Sequence, residues 1–160
     1  MAGESAGAGL TVATLVALKT AGLPQPSSAV VFSPWADLTL SGDSMRSKAG
    51  VDPALTPAGL RLRAADYAGD DLADPLVSPV FADPTGLPPL LIQVGSHEIL
   101  LDDATRLTVR AAAADVQVTL EVTQGVPHVF QAFSAMLDEA GAALNSAGAF
   151  IRDHFAATGG

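Results

Sequence analysis

One serine, three histidines and a group of carboxylates are the side chains whose spacing could do chemistry. Ser5 lies in Gly3-Glu4-Ser5-Ala6-Gly7, a G-x-S-x-G pentapeptide. That pattern suits a tight turn from a strand into a helix, with glycines where a Cβ would collide with neighbouring backbone. The turn lifts the hydroxyl to the positive end of the helix. There the backbone N–H of Ala6 can face a developing oxyanion. A serine nucleophile needs a base, and the base needs an orienting acid. His128 sits in Gly125-Val126-Pro127-His128-Val129-Phe130, and His97 in Gly95-Ser96-His97-Glu98. His154 falls in the last helix and is expected at the surface. The acids Glu98, Asp102 and Asp103 follow one another closely. Glu98 comes first; Asp102 and Asp103 fall where a helix starts, so capping and dipole pairing compete for them.

These groups need elements to hold them. Ala29 to Phe32 reads as a buried strand ended by Ser33-Pro34, and Leu90 to Val94 as a second, ended by Gly95. Val116 to Val122 alternates and reads as a third. Helices are expected over Leu10–Thr20, Asp103–Ala114 and Ala135–Ala157, the last weakened at Gly148. Alternating helices and buried strands predict an α/β fold with a parallel sheet and flanking helices in a single domain. His128 and Glu98 then lie beyond strand C-terminal ends, where open α/β sheets place their sites. Residues 42–85 are rich in Asp, Pro and Gly, with one helix expected over Pro57–Tyr67. So long an excursion suits part of a substrate cap.

Composition narrows the function classes. The chain has 160 residues, 49% hydrophobic and 16% charged, which excludes a disordered acidic tail. Its net charge of -9 repels phosphate backbones and anionic lipid, so nucleic acid is not an expected partner. The absence of cysteine excludes disulfide scaffolds, zinc-thiolate sites and cysteine nucleophiles, and fits a cytoplasmic protein. Ala6–Leu18 imitates a signal-peptide core, but Glu4 precedes it without a Lys or Arg. It also falls short of the roughly 20 residues a membrane span needs. A buried helix is the expected reading.

Five segments in order resemble the C-terminal half of the bacterial hormone-sensitive-lipase-like esterases, of the α/β-hydrolase fold. Gly3 to Gly9 is similar to G-D-S-A-G-G. Ser33-Pro34-Trp35-Ala36-Asp37-Leu38 is similar to S-P-x-x-D-L, and Asp74 to Pro79 to D-P-x-x-S-P. Gly95 to Asp102 resembles G-x-x-D-x-L-x-D, and Gly125 to Phe130 resembles G-x-P-H-x-F. The nearest flavour is the monoterpene ε-lactone hydrolase or acetyl-hydrolase branch. The resemblance implies Ser5 as nucleophile, His128 as general base and Glu98 as orienting acid, with Asp102 as fallback. It implies hydrolysis of a short-chain ester or lactone through an acyl-enzyme, with no metal or cofactor. Trp35 and Val129 are candidates to line the substrate site, although Trp35 could equally pack beneath a cap. A prolyl-oligopeptidase-type peptidase shares the order of the three residues, but its H-G-x-x-D pattern is not matched well at Gly95 to Glu98.

Two departures shape the expectations. The matching acid is Glu98, not the more usual Asp, which adds one methylene. The family's H-G-G-G loop, which supplies further oxyanion N–H groups, has no counterpart in the chain. Loss of one such donor costs on the order of 10²–10³ in rate. The competing expectation is therefore a truncated, inactive or weakly active fragment. Met1-Ala2 reads as the end of the strand before the turn, leaving Ala29–Phe32 with an unpaired edge and the chain marginally stable. A small-molecule ester is the expected partner, and assembly into a homo-oligomer remains open.

Overall fold

The computed structural model describes residues 1–157. Strand β1 (Ala2–Glu4) runs straight into helix α1 (Ser5–Thr20), followed by β2 (Ala29–Phe32). The excursion carries the short α2 (Ser44–Ser47), α3 (Pro57–Ala68) and a 3-10 turn over Pro79–Phe81. Then come β3 (Leu90–Gly95), α4 (Leu101–Ala113), β4 (Val118–Thr123), a 3-10 turn over Phe130–Phe133 and α5 (Asp138–Ala157). The four strands form one parallel sheet in the order β1-β2-β3-β4.

Both sheet faces are covered, which is why the central strands are apolar runs. Val31, Ile92 and Val94 point to one face, against Val12, Leu15, Ala104 and Leu107 of α1 and α4. Val30 and Leu91 point to the other, against Ala147 and Phe150 of α5. Full burial of a side chain such as Leu15 or Ile92 contributes about 1.5–3 kcal/mol. Gln93 shares the α5 face and is also buried. Its amide donates to Glu121 Oε2 (2.7 Å) and the Ala143 carbonyl (2.9 Å), and its oxygen accepts from Gln131 (3.0 Å). One amide thus joins β3 to β4, α5 and the turn after His128.

Several boundaries differ from the sequence reading. Helix α1 starts at Ser5 rather than Leu10, because the small residues 5–9 are its first turns. β4 starts at Val118; the Val116 N–H instead closes α4 on the Ala111 carbonyl (3.0 Å), helped by Asp115 at φ 58°. α5 starts at Asp138 and runs unbroken through Gly148. A mid-helix glycine costs about 1 kcal/mol, and the packing of Ala147 and Phe150 on the sheet opposes it. The edge of β2 is not bare, since β1 pairs with it from Ala2↔Val30 to Glu4↔Phe32.

Replacing Gln93 by Leu should destabilise the chain by about 1–3 kcal/mol, because Glu121, Ala143 and Gln131 each lose a buried partner. Leu62, which is 70% exposed, should tolerate Ala within about 0.5 kcal/mol. The midpoints of urea unfolding curves check both.

Candidate active site

Ser5 opens α1 at φ 52°, a left-handed conformation that costs a non-glycine residue of order 1–3 kcal/mol. Glu4 provides no side-chain cap. The first N–H groups of any α-helix have no intrahelical partner, and here no Glu4 side chain takes one up. The glycines flanking Ser5 play different parts. A Cβ on Gly3 would overlap the Gly7 carbonyl oxygen, as expected of the turn, but one on Gly7 would meet nothing within 4 Å. Gly7 instead lines the cavity beside Ser5.

Ser5 Oγ lies 2.9 Å from His128 Nε2, and His128 Nδ1 lies 2.8 Å from Glu98 Oε2. With the carboxylate accepting at Nδ1, that nitrogen carries the proton and Nε2 accepts from the serine hydroxyl. Three strand ends deliver these groups. Ser5 follows β1, Glu98 follows β3, and His128 follows β4. The β3 and β4 loops touch closely: a Cβ on Gly95 would overlap the Val126 carbonyl oxygen. That carbonyl accepts the His97 N–H (3.2 Å), and the Gly125 N–H donates to Ser96 Oγ (2.8 Å). His97 itself points to solvent. His154 is half-buried, not a free surface residue; its ring lies 4.2 Å from that of Phe150.

Glu98 is fully buried. Its Oε1 accepts from the Gly95 N–H (2.6 Å) and the Ser33 hydroxyl (2.9 Å), leaving Oε2 to His128. The fallback acid, Asp102, is turned elsewhere. Its Oδ2 accepts the Ser44 N–H (2.9 Å), tying α4 to the excursion. Asp103 does not cap its own helix either. Its Oδ2 accepts the N–H groups of Ala36 (2.8 Å) and Asp37 (2.9 Å). Acidic residues in a helix's first turn signal a helix start, and a third segment within reach redirects them.

An apolar cavity of about 490 Å³ opens beside Ser5. Its floor is α1 (Ala6, Gly7, Leu10 and Ala13) and one wall is Trp35 with Leu38. Leu55, Leu60, Arg63, Tyr67, Leu76 and Val77 of the excursion complete it. Trp35 lines the cavity and also packs with Leu60 and Leu38 under α3. Val129 is not among the lining residues; it sits at φ 50° with its N–H on Ser33 Oγ (3.0 Å). Sequence reasoning missed Ser33 and the Asp37–Asp103 pair, although the Ser-Pro stop after β2 marked the strand end that brings them here. No cluster of residues suited to a metal ion occurs among the described residues. No helix among them is long and apolar enough to cross a membrane.

The chain matches the family model described as alpha/beta hydrolase fold over residues 1–132 and belongs to that family. It is 48% identical to an acetyl-hydrolase of Streptomyces hygroscopicus, over 95% of this chain and 51% of that protein. It is 42% identical to an esterase of Acinetobacter venetianus, over 90% and 48% respectively. An esterase from the bacterial hormone-sensitive lipase family has a crystal structure that superimposes with TM-score 0.93 at 46% identity, covering 96% of this chain and 52% of its own. The chain therefore spans about half the length of the relatives it matches. The family is one of esterases and acetyl-hydrolases, and the parallel sheet and its flanking helices are part of that hydrolase fold.

The Asp37–Asp103 pair titrates unequally. Burial pushes the Asp103 carboxyl up to about 8 against the pull of its two backbone donors, and its Oδ1 is buried without a hydrogen-bond partner. Burial also raises Asp37, but the hydroxyls of Ser41 and Thr39 and the Arg106 guanidinium (2.7 Å) outweigh it and hold that carboxyl below its ordinary value. Between about pH 4 and pH 8 the folded chain keeps a proton on Asp103 that the unfolded chain has released. The contribution of Asp103 to stability is therefore full below pH 4 and is lost as pH rises through 8. Asp103→Asn should flatten that fall while keeping an acceptor for Ala36 and Asp37, which denaturant midpoints measured from pH 4 to pH 8.5 will show.

Proposed function

We propose that this chain carries the nucleophile, base and acid of a serine carboxylic-ester hydrolase. The observation that carries the reading is the unbroken line Ser5 Oγ–His128 Nε2, His128 Nδ1–Glu98 Oε2, beside an apolar cavity. His128 takes the Ser5 proton as Oγ attacks the ester carbonyl, and the buried Glu98 carboxylate stabilises the imidazolium that forms. The Ala6 N–H, at the uncapped start of α1, donates to the tetrahedral oxyanion. The imidazolium then protonates the departing alcohol, leaving an acyl-serine. Water attacks that ester with His128 again as base, and the acid is released. No step calls for a metal or cofactor. The cavity's apolar lining suits the acyl or alcohol part of a small ester, and the excursion over residues 42–85 acts as part of a cap. The relatives named as acetyl-hydrolase and esterase support a small ester substrate.

A second reading concerns rate. The chain spans about half of its relatives, and the described residues present the Ala6 N–H as oxyanion donor. The reactive serine can then be competent for acylation while turnover stays slow. A fluorophosphonate probe with mass spectrometry, run beside p-nitrophenyl ester hydrolysis, tests both readings. Labelling should fall on Ser5 and vanish in Ser5→Ala, and His128→Ala should slow it by at least about 10³-fold. Labelling with hydrolysis at ordinary esterase rates supports the full enzyme, whereas labelling with little turnover supports the second reading. An unlabelled Ser5 in the folded chain rejects the triad.

A further inference from the structure

Glu98 gains a torsion over an aspartate, and the last torsion of a Glu side chain is a broad one that packing alone holds poorly. Something must fix the plane of its carboxylate. Resting on the triad reading above, we propose that Ser33 is a positioning residue that locks the acid and the base at once. Ser33 is fully buried at the end of β2, with its N–H on the Gln93 carbonyl (2.7 Å). Its hydroxyl donates to Glu98 Oε1 (2.9 Å) and accepts the N–H of Val129 (3.0 Å), the residue after His128. A hydroxyl can donate and accept together, which the two-sided contact requires. Engaging Oε1 together with the Gly95 N–H turns Oε2 towards His128 Nδ1. The same oxygen pins the turn that carries the imidazole, where Val129 adopts φ 50°. Ser33 itself adopts φ 46°. The backbone there is strained at the residue whose hydroxyl reaches both loops. Ser33 does not line the cavity, so its effect should appear in the chemical step and not in binding.

The test uses Ser33→Ala, which removes the hydroxyl and keeps a Cβ, and Ser33→Gly, which removes it and relieves the left-handed backbone. Both should lower kcat, and the rate of fluorophosphonate labelling at Ser5, by about 10- to 100-fold with KM little changed. In proton NMR of the full chain, the deshielded His128 Nδ1–H resonance should weaken or move upfield in both variants. A folded Ser33→Ala chain with wild-type labelling rate and an unmoved resonance overturns the proposal. Recovery of wild-type rate by Ser33→Gly also overturns it, because backbone strain would then be the whole effect. Failure of wild-type Ser5 to label would reject the triad reading instead, and the resonance would still report whether Ser33 holds Glu98 against His128.

Discussion

Everything at this site depends on one buried carboxylate. Glu98 has no solvent exposure, and a polar group so placed is tolerable only when its oxygens are hydrogen-bonded. They are bonded from three directions: the Gly95 N–H, the Ser33 hydroxyl and the His128 ring. Those partners come from the ends of β3, β2 and β4, so satisfying the buried carboxyl group draws three loops to one point. The parallel sheet makes this possible, because all its strands finish on the same edge. The close approach at Gly95 and the Gln93 amide beneath it keep the β4 side from drifting away. Glu98 thus contributes specificity of arrangement as much as electrostatics.

Much of this was legible in the residues. Buried strands announce themselves as short apolar runs, and Ala29–Phe32 and Leu90–Gly95 fell where those runs are. Ser5, Glu98 and His128 stood at strand ends in recognisable local patterns. What was not legible depended on partners far away in the chain. Nothing local distinguishes Asp103, whose carboxylate reaches residues 36 and 37, from an acid serving the start of its own helix. Nothing in a glycine reveals whether its missing Cβ avoids a clash, as at Gly3, or leaves a cavity open, as at Gly7. Ser33 looked like a strand stop, and its second role exists only because β3 and β4 end beside it.

The excursion over residues 42–85 is tied to the same ground. Asp52 accepts the Ile99 N–H with Oδ2 (2.8 Å) and the Ala54 and Leu55 N–H groups with Oδ1 (2.8 and 2.9 Å). Leu55 lines the cavity, and Ile99 directly follows Glu98. Ser44 donates to the Ile99 carbonyl and accepts the Asp102 N–H (3.0 Å). The cavity wall and the loop bearing the acid are therefore one hydrogen-bonded unit, and neither can shift without straining the other.

Two acids five residues apart, Glu98 and Asp103, show how burial is resolved differently by their partners. Glu98 meets a backbone N–H, a hydroxyl and an imidazole, so both of its oxygens have a partner. Asp103 meets only two backbone N–H groups, lies beside the carboxylate of Asp37, and leaves one oxygen without a partner. Its neutral form is the cheaper one, since Asp37 already holds Arg106 as counter-ion. The first acid ties the ends of β2, β3 and β4 together beside Ser5. The second holds Ala36 and Asp37, next to the Trp35 cavity wall, by hydrogen bonds that a neutral carboxyl oxygen can accept.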